Sequence, residues 1–596
     1  MITKEQQRTL YCGEVKSDKL VNKRVVINGW VQNYRDHGGL TFLDVRDRSG
    51  IIQLVFDPQT NPEAHDIAKK SRSEDVISAS GIVLFRTEEN INPKIPTGRF
   101  EVKIDRIDIL NKAKTPPFQI DQEDLSEEVR LKYRYLDIRR HQMYQNLFMR
   151  HKIVNTVRNF MDENGFLEVE TPILNKSTPE GARDFLVPSR LAPGNFYALP
   201  QSPQIYKQIL MVGGIDRYYQ IAKCFRDEDQ RADRQLEFTQ IDIEMSFITE
   251  DDIITLMEKM IARILSQNYN IKIKTPIKRI TYKDSMDKYG IDRPDLRFGM
   301  EIIDVTETVR NCGFSVFKTE TRSGGMVKCI PVPGGSRLSR KDLDDLIGYV
   351  GRYGSKGMAW MRVKGGKLES NIVKYFSQEI QNNLIKITEA KEDYILLFIA
   401  DINKKVVYDS VANLRLNIGD RFSLRDKNKM EFVWVIDFPL FDWNIDENRW
   451  DSVHHPFTAP KVEDLHLLDR EPGNVRSDSY DLVLNGIELG GGSIRIHNRD
   501  VQKKIFGILN ISDEAAKVKF GFLLDALSYG APPHGGLAFG LDRLVMEFQG
   551  LSNIRDAIAF PKTQKGQDLM SETPSQVEEK QLEELSIRTV EYKSNK

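Results

Sequence analysis

Between positions 24 and 110 short apolar runs recur in which alternate residues are hydrophobic. They are Val25-Val-Ile-Asn-Gly-Trp-Val, Leu40-Thr-Phe-Leu-Asp-Val, Ile51-Ile-Gln-Leu-Val-Phe, Val76-Ile-Ser-Ala-Ser-Gly-Ile-Val and Phe100-Glu-Val-Lys-Ile. A period near two predicts strands, and Asp47-Arg-Ser-Gly50 supplies a turn between the second and third. Residues 62–70 carry the one helical insert. Five strands with one helix suit an OB barrel, whose open face receives unstacked bases. Phe42 and Gln53 fall on neighbouring strands beside the turn; on pattern alone Phe42 reads as barrel core.

Further along the period changes. Residues 112–137 read as a linker, Thr115-Pro-Pro followed by an acidic helical stretch, and residues 147–164 as a helix leading into Gly165-Phe-Leu-Glu-Val-Glu-Thr-Pro172. Next come two strand-like runs, Tyr218-Tyr-Gln-Ile-Ala and Phe238-Thr-Gln-Ile-Asp-Ile, around a loop that alternates Arg with Asp and Glu. This is a hairpin whose tip holds fixed cations among carboxylates, chemistry suited to a nucleoside triphosphate with magnesium. From about 294 to 422 glycine clusters separate strands and helices and mark an inserted domain. Glu431-Phe-Val-Trp-Val-Ile-Asp-Phe then resumes an apolar strand. Gly535-Gly-Leu-Ala-Phe-Gly-Leu-Asp-Arg543 reads as a tight glycine turn entering a helix, with Arg543 in the first turn as an anion-binding cation. Residues 576–591 read as an exposed amphipathic helix. Consecutive strands with hairpin signals predict an antiparallel sheet with flanking helices, not a parallel one.

Composition narrows the class. The 596 residues exceed a single core, so three or four domains are expected. No run approaches a membrane span and the amino terminus has no signal-peptide pattern, so the expected location is the cytoplasm, with no membrane partner. Cys12, Cys224, Cys312 and Cys329 form no C-x-x-C pair and read as reduced thiols. A net charge of −1 lacks the basic excess common in nucleic-acid binders, yet leaves room for local basic faces.

The Cys224–Glu244 stretch and the Gly535–Arg543 run, in that order, resemble motifs 2 and 3 of the class II aminoacyl-tRNA synthetases, in the wording of the bacterial aspartyl enzymes. Gly165-Phe-Leu-Glu-Val-Glu-Thr-Pro172 is similar to motif 1. Thr178-Pro-Glu-Gly-Ala-Arg-Asp184, Gln201-Ser-Pro-Gln-Ile-Tyr-Lys207, His454-His-Pro-Phe-Thr458 and Glu488-Leu-Gly-Gly-Gly-Ser-Ile-Arg495 extend the resemblance over nearly the whole chain. It implies an α+β multidomain fold: an OB-fold anticodon-binding domain (1–112), a hinge (113–140), an antiparallel-sheet catalytic domain in two parts (141–293 and 423–562), a GAD-like insertion (294–422) and a carboxy-terminal extension (563–596). It also implies a homodimer acting on ATP, Mg2+, L-aspartate and the aspartate tRNA. The asparaginyl enzymes, which share the barrel and catalytic domain, are the nearest alternative.

The resemblance assigns roles position by position. Arg226 and Arg543 are the catalytic cations, Arg226 between the substrate carboxylate and the α-phosphate, Arg543 on the far phosphates. Asp227, Glu228, Gln235, Glu488, Gly540, Leu541 and Asp542 belong with them to the ATP site, and Asp481 with Glu488 to the metal. Glu180, Gln204, Lys207, Asp242, His454 and Arg495 join Arg226 around aspartate. Lys207 and Arg495 face its side-chain carboxylate, Glu180 its ammonium group, and His454 closes over it. Taken alone, Asp481 reads equally as a turn residue, and His454 with His455 makes a poor zinc pair because neighbours on an extended chain point apart. On the barrel, Phe42 and Gln53 are implied to stack on and hydrogen-bond an anticodon base. His37 lies in the loop Arg35-Asp-His-Gly-Gly39, where a histidine resembles relatives that also aspartylate the asparagine tRNA. Imidazole donates, accepts and stacks, so it tolerates either pyrimidine of GUC and GUU.

Overall fold

The computed structural model describes residues 2–178 and 182–590, and the chain divides into two compact units, Met1–Arg150 with Arg555–Ser575 and His151–Ile554 with Gln576–Lys596. The first is built on a closed barrel in the order β1 (Arg24–His37), β2 (Leu40–Asp47), β3 (Gly50–Phe56), β5 (Phe100–Asn111), β4 (Val76–Phe85). Alternation fills it: Val25, Ile27, Val31, Leu43, Val45, Ile52, Leu54 and Ile77 are buried together. Helix α1 (Pro62–Lys70) joins β3 to β4; its first N–H groups, of Glu63 and Ala64, donate to Asn61 Oδ1. Phe42 is half-exposed and outside this core, because it occupies the alternate, outward register of β2. His37 is the last residue of β1 rather than a loop residue, and Gly38-Gly39, both at positive φ, close the hairpin as a two-residue turn. The linker is folded into α2 (Glu127–Lys132) and α3 (Arg134–Asp137), and Arg139 before α4 (His141–Glu163) pairs with the buried Glu74 at 2.7 Å, itself paired with Arg46 at 2.9 Å.

In the second unit, β6 (Leu167–Glu168) is the short paired part of the motif 1 run, followed by a small hairpin, β7 (Leu186–Pro188) and β8 (Phe196–Ala198), and helix α5 (Gln204–Val212). Strands β9 (Arg217–Phe225) and β10 (Glu237–Ser246) form the motif 2 hairpin, and α6 (Glu250–Tyr269), β11 (Lys278–Thr281) and α7 (Tyr282–Tyr289) lead to the insertion.

The insertion has its own five-stranded sheet, in the order β12 (Ile303–Asp304), β13 (Met326–Val332), β16 (Ile395–Asp401), β14 (Ala359–Lys364), β15 (Lys367–Glu369). Ile330, Ile395, Leu397 and Ile399 face α10 (Arg340–Gly351) and α12 (Lys404–Arg421). The alternate residues Val327, Cys329, Leu396 and Phe398 face α8 (Thr306–Val309), α9 (Ser315–Arg322) and α11 (Gln378–Thr388).

The chain then returns through β17 (Phe432–Ile436), the hairpin β18 (Phe441–Asn444) with β19 (Arg449–Ser452), β20 (Ser479–Leu484), β21 (Ile487–Ile494), α13 (Arg499–Ile508), α14 (Asp513–Leu527), β22 (His534–Gly540) and α15 (Leu541–Phe548). Its eight-stranded sheet runs β11-β17-β20-β21-β22-β10-β9-β6. Pairing is antiparallel except at the two ends, β11 with β17 and β6 with β9.

Two further expectations change. The glycines at 535–536 form no turn; they lie inside β22, which runs directly into α15. A Cβ at Gly536 would collide with the Glu244 carboxylate and the Ile243 carbonyl on β10, so glycine is there for close approach of strands. The tail forms only the six-residue helix α16 (Glu579–Glu584), with no buried residue. Without a tertiary face a longer helix gains too little to persist. Among the described residues no helix is long and apolar enough to cross a membrane.

Candidate active site

A cavity of about 560 Å³ opens over the middle of the eight-stranded sheet. The strand period builds its floor. Gln240, Asp242 and Glu244 share one face of β10 and pair across to Gly540, Ala538 and Gly536 of β22. Beyond them come Gly490 and Gly491 of β21, the latter leaving room for the Asp481 carboxylate, with which a Cβ would overlap. Small residues on two strands thus keep the floor open while the carboxylates of a third stand up from it.

Of the residues singled out from the sequence, Gln204, Arg226, Glu228, Gln235, Asp242, His454, Asp481, Glu488, Gly540, Asp542 and Arg543 line this one cavity, though they span more than half the chain. Arg226 leaves β9 with its guanidinium over the Phe238 ring, 5.1 Å from the centroid, and no carboxylate of the described residues pairs with it. Arg543 Nη1 donates to the Glu488 carbonyl at 2.8 Å, and Nη2 lies 3.5 Å from Asp233 Oδ2. Asp481 sits within β20, so it is a strand residue and not a turn residue; burial, then the charges of Glu488 and Asp292, push its carboxyl well up.

Lys207 and Arg495 lie behind the wall, 1% and 2% exposed. Lys207 Nζ is 2.6 Å from Asp242 Oδ1 and 3.2 Å from Glu244 Oε2. Arg495 forks onto Glu244 through Nε at 2.9 Å and Nη2 at 3.1 Å, while Nη1 meets Ser493 Oγ at 2.6 Å and His455 Nε2 at 2.8 Å. Two buried cations therefore balance two buried carboxylates. A guanidinium has only donors, so toward Arg495 the His455 Nε2 must present its lone pair, while Nδ1 faces the Phe457 N–H at 3.2 Å. Burial, with Arg495 next, holds His454 down to about 4 and His455 well below the ordinary imidazole value, so both rings are neutral at pH 7. Burial would raise Glu244, but Arg495 and Lys207 override it and hold the carboxyl below its usual value; in Asp242 burial prevails and the shift is upward.

Two predicted residues lie apart. Leu541 is 1% exposed in the core beneath the cavity, and Asp227 bridges to Arg183 beside the hairpin, 3.9 Å from its guanidinium. Glu180 falls outside the described residues. Asp542, although it touches the cavity, accepts the Thr239 N–H at 2.7 Å and so ties α15 to β10. Sequence reasoning missed Glu244, His455 and Asp233. The first was legible in principle, since it follows Asp242 by two on a strand and must share its face.

On the barrel the anticodon candidates also converge. Gln53 is buried and engaged: its Nε2 donates to Glu101 Oε2 at 3.0 Å, and its Oε1 accepts from Arg35 Nη2 at 3.0 Å. Arg35, opposite Phe42 across the hairpin, also forks onto Asp44 at 2.8 Å twice. Arg35, named with the His37 loop, and the unforeseen Glu101 join the polar patch. His37 is exposed at the tip.

Comparison with known proteins identifies the family. Residues 126–564 match the family "tRNA synthetases class II (D, K and N)", and residues 25–110 match "OB-fold nucleic acid binding domain". The chain is 54% identical to the Aspartate--tRNA(Asp/Asn) ligase of Brachyspira hyodysenteriae, over 97% of its own length and 99% of that relative. It is 54% identical to the Aspartate--tRNA ligase of Geobacillus kaustophilus, over 98% and 99%. Among solved structures, asparaginyl-tRNA synthetase from Pyrococcus horikoshii with asparaginyl-adenylate shares its fold, with a TM-score of 0.57, 20% identity and coverage of 94% of this chain and 98% of that one. The putative aspartyl-tRNA synthetase of Leishmania major is similar, with a TM-score of 0.59, 19% identity and coverage of 94% of each chain. The chain therefore belongs to the class II tRNA synthetases of the D, K and N group, in the branch of the bacterial aspartate–tRNA ligases.

Proposed function

We propose that the cavity activates L-aspartate with ATP and that the chain transfers it to the tRNAs of both aspartate and asparagine. The observation that carries the amino-acid assignment is the buried pair Lys207 and Arg495 beside the cavity-lining Asp242 and His455. A guanidinium offers five N–H groups. Glu244 takes two of those on Arg495, Ser493 and His455 two more, leaving one on Nη2 for a substrate side-chain carboxylate. Asparagine is nearly isosteric but would set an NH2 group against these donors, and a buried donor left unpaired is the strongest basis for rejection.

In the first step an oxygen of the aspartate α-carboxylate attacks the α-phosphorus and the bond to the β-phosphate oxygen breaks, releasing pyrophosphate. A carboxylate needs no base, so the site's work is positioning and charge stabilisation. Arg226 would bridge carboxylate and α-phosphate, and Arg543 would hold the outer phosphates. In the second step a terminal ribose hydroxyl of the tRNA attacks the anhydride carbonyl and AMP leaves.

Asp481 and Glu488 fit a magnesium ion. Asp481 Oδ1 is buried with no hydrogen-bond donor on it. Among the described residues no cluster of three ligating side chains closes a cage. That suits an ion held by one or two carboxylates and by substrate phosphates. When bound, it would neutralise phosphate charge.

The relaxed tRNA choice is supported by His37, exposed at the tip of the β1–β2 hairpin beside Phe42 and Arg35, and by relatives named for both tRNAs. A homodimer is supported by the exposed Leu167 on the edge strand β6, Ile173 and Leu174 just after it, and Leu186 and Phe196 on the β7–β8 hairpin, large apolar side chains left facing solvent. Light scattering is expected to give twice the chain mass of 68.7 kDa; an active monomer would contradict it.

Pyrophosphate exchange tests the amino-acid reading. Aspartate should be favoured over asparagine in kcat/KM by about a thousandfold or more. Equal use of the two would end it.

A further inference from the structure

We infer that Lys461, outside the cavity, is a positioning residue for the amino-acid pocket: it pins the segment carrying His454 and His455 so that His455 stays on Arg495. Its ammonium joins three carboxylates from three places in the fold: Glu250 Oε2 at 2.6 Å, the first residue of α6; Asp437 Oδ1 at 3.1 Å, just after β17; and Asp478 Oδ1 at 3.1 Å, just before β20. Two of these anchors lead straight into the site. Asp437 precedes Phe438, whose ring meets the His454 ring edge-on at 4.8 Å and whose carbonyl accepts both the Ser477 N–H and Oγ–H. Asp478 donates its N–H to the Ala459 carbonyl at 2.8 Å and accepts at its own carbonyl from Ile494, the residue before Arg495.

The segment is laced to the Arg495 strand by backbone bonds and by two side-chain contacts, Ser493 Oγ to Thr458 Oγ1 at 3.3 Å and Arg495 Nη1 to His455 Nε2. Ala459 N–H donates to the Ile494 carbonyl at 2.9 Å, Ile496 N–H to the Phe457 carbonyl at 2.9 Å, and Thr458 bridges Arg495. At its far end Lys461 N–H donates to the Arg476 carbonyl at 2.9 Å. The histidines thus sit on a short strap with one edge along β21 and its end tied by Lys461. Without the ammonium, three carboxylates crowd one point and repel, and that repulsion strains the backbone bonds that remain at the strap's end. A shift there would reach His455 Nε2, and Arg495 would lose an acceptor that holds its guanidinium in register.

The inference rests on the reading of Arg495 as the group that takes the aspartate side chain. The test compares Lys461→Met, Lys461→Arg and Arg495→Leu in pyrophosphate exchange, titrating aspartate at saturating ATP and ATP at saturating aspartate. Lys461→Met is expected to raise the KM for aspartate about tenfold, the scale of losing the partner that orients a ligating side chain. The KM for ATP should stay within about threefold, the preference for aspartate over asparagine should narrow, and Lys461→Arg should restore both, because a guanidinium can serve the same carboxylates. A KM for aspartate unchanged in Lys461→Met, or rising together with that for ATP, overturns the proposal. If Lys461→Met does not fold, Glu250→Gln removes the shortest of the three pairs and is read the same way: a rise confined to the KM for aspartate supports the role, and no rise overturns it. If Arg495→Leu itself leaves the KM for aspartate unchanged, the reading beneath the inference has failed instead.

Discussion

Arg226→Ala is expected to remove aspartate activation while leaving the fold intact. The guanidinium is half-exposed at the mouth of the motif 2 loop, stacked on Phe238, with no carboxylate partner among the described residues. Its loss therefore strands no buried charge, and the thermal transition should hardly move. In the proposed reaction the same group faces the point where negative charge accumulates, and deleting such a preorganised donor typically costs about 3–4 kcal/mol of barrier, roughly a hundred- to thousandfold in rate. Pyrophosphate exchange measures it directly. A fall of less than about tenfold, in a variant with the parental melting temperature, would take Arg226 out of the reaction.

Arg495→Leu should behave differently, because binding and stability fail together. Losing a charged hydrogen bond to the substrate carboxylate costs about 1.5–3 kcal/mol, so the KM for aspartate should rise roughly ten- to a hundredfold while that for ATP changes little. The variant also strips the fork from Glu244, 0% exposed, leaving one ammonium for two buried carboxylates. Breaking a buried pair in this way costs about 3–5 kcal/mol.

The pH dependence of that loss has a definite sign. In the parent, Arg495 and Lys207 hold Glu244 below its usual value against burial, so its contribution is present above the ordinary carboxylate range and is lost only as pH falls through the depressed value. Without Arg495, burial prevails and the carboxyl moves up. A raised carboxyl penalises the fold at neutral pH and less so in acid. The melting-temperature deficit of the variant should be largest near pH 8 and shrink toward pH 5. A deficit that widens on acidification would mean that Arg495 does not govern Glu244.

What the sequence disclosed and what it hid divide along physical lines. Strand period set the barrel but misplaced Phe42, which pattern alone put in the core; Leu43 and Val45 face in and leave it on the outward register. The motif 2 hairpin was legible from two apolar runs around a charged loop. The glycines of β22 were not, because glycine signals a turn and a close strand approach alike. Only the partner strand, with Glu244 standing opposite Gly536, separates the two. The same limit hid His455: adjacent histidines look equivalent in sequence, and only the bridge of Thr458 to Arg495 determines which ring meets the guanidinium. Leu541 and Asp542 sit inside the motif 3 wording yet serve mainly the fold, one in the core and the other holding β10. The tail shows the converse. Its helical pattern is real, but no residue of the helix is buried, and six residues of helix form.

The proposed activity joins aspartate, and not asparagine, to both tRNAs. The most direct measurement is the aspartylation of aspartate and asparagine tRNA transcripts, bearing GUC and GUU, compared by kcat/KM. Both are expected to be charged with aspartate, with a preference for GUC well below a thousandfold, because imidazole at His37 can meet either pyrimidine of the third anticodon position. A preference of about a thousandfold or more, the scale of a fully discriminating hydrogen-bond site, would make the enzyme strict and remove His37 from the reading.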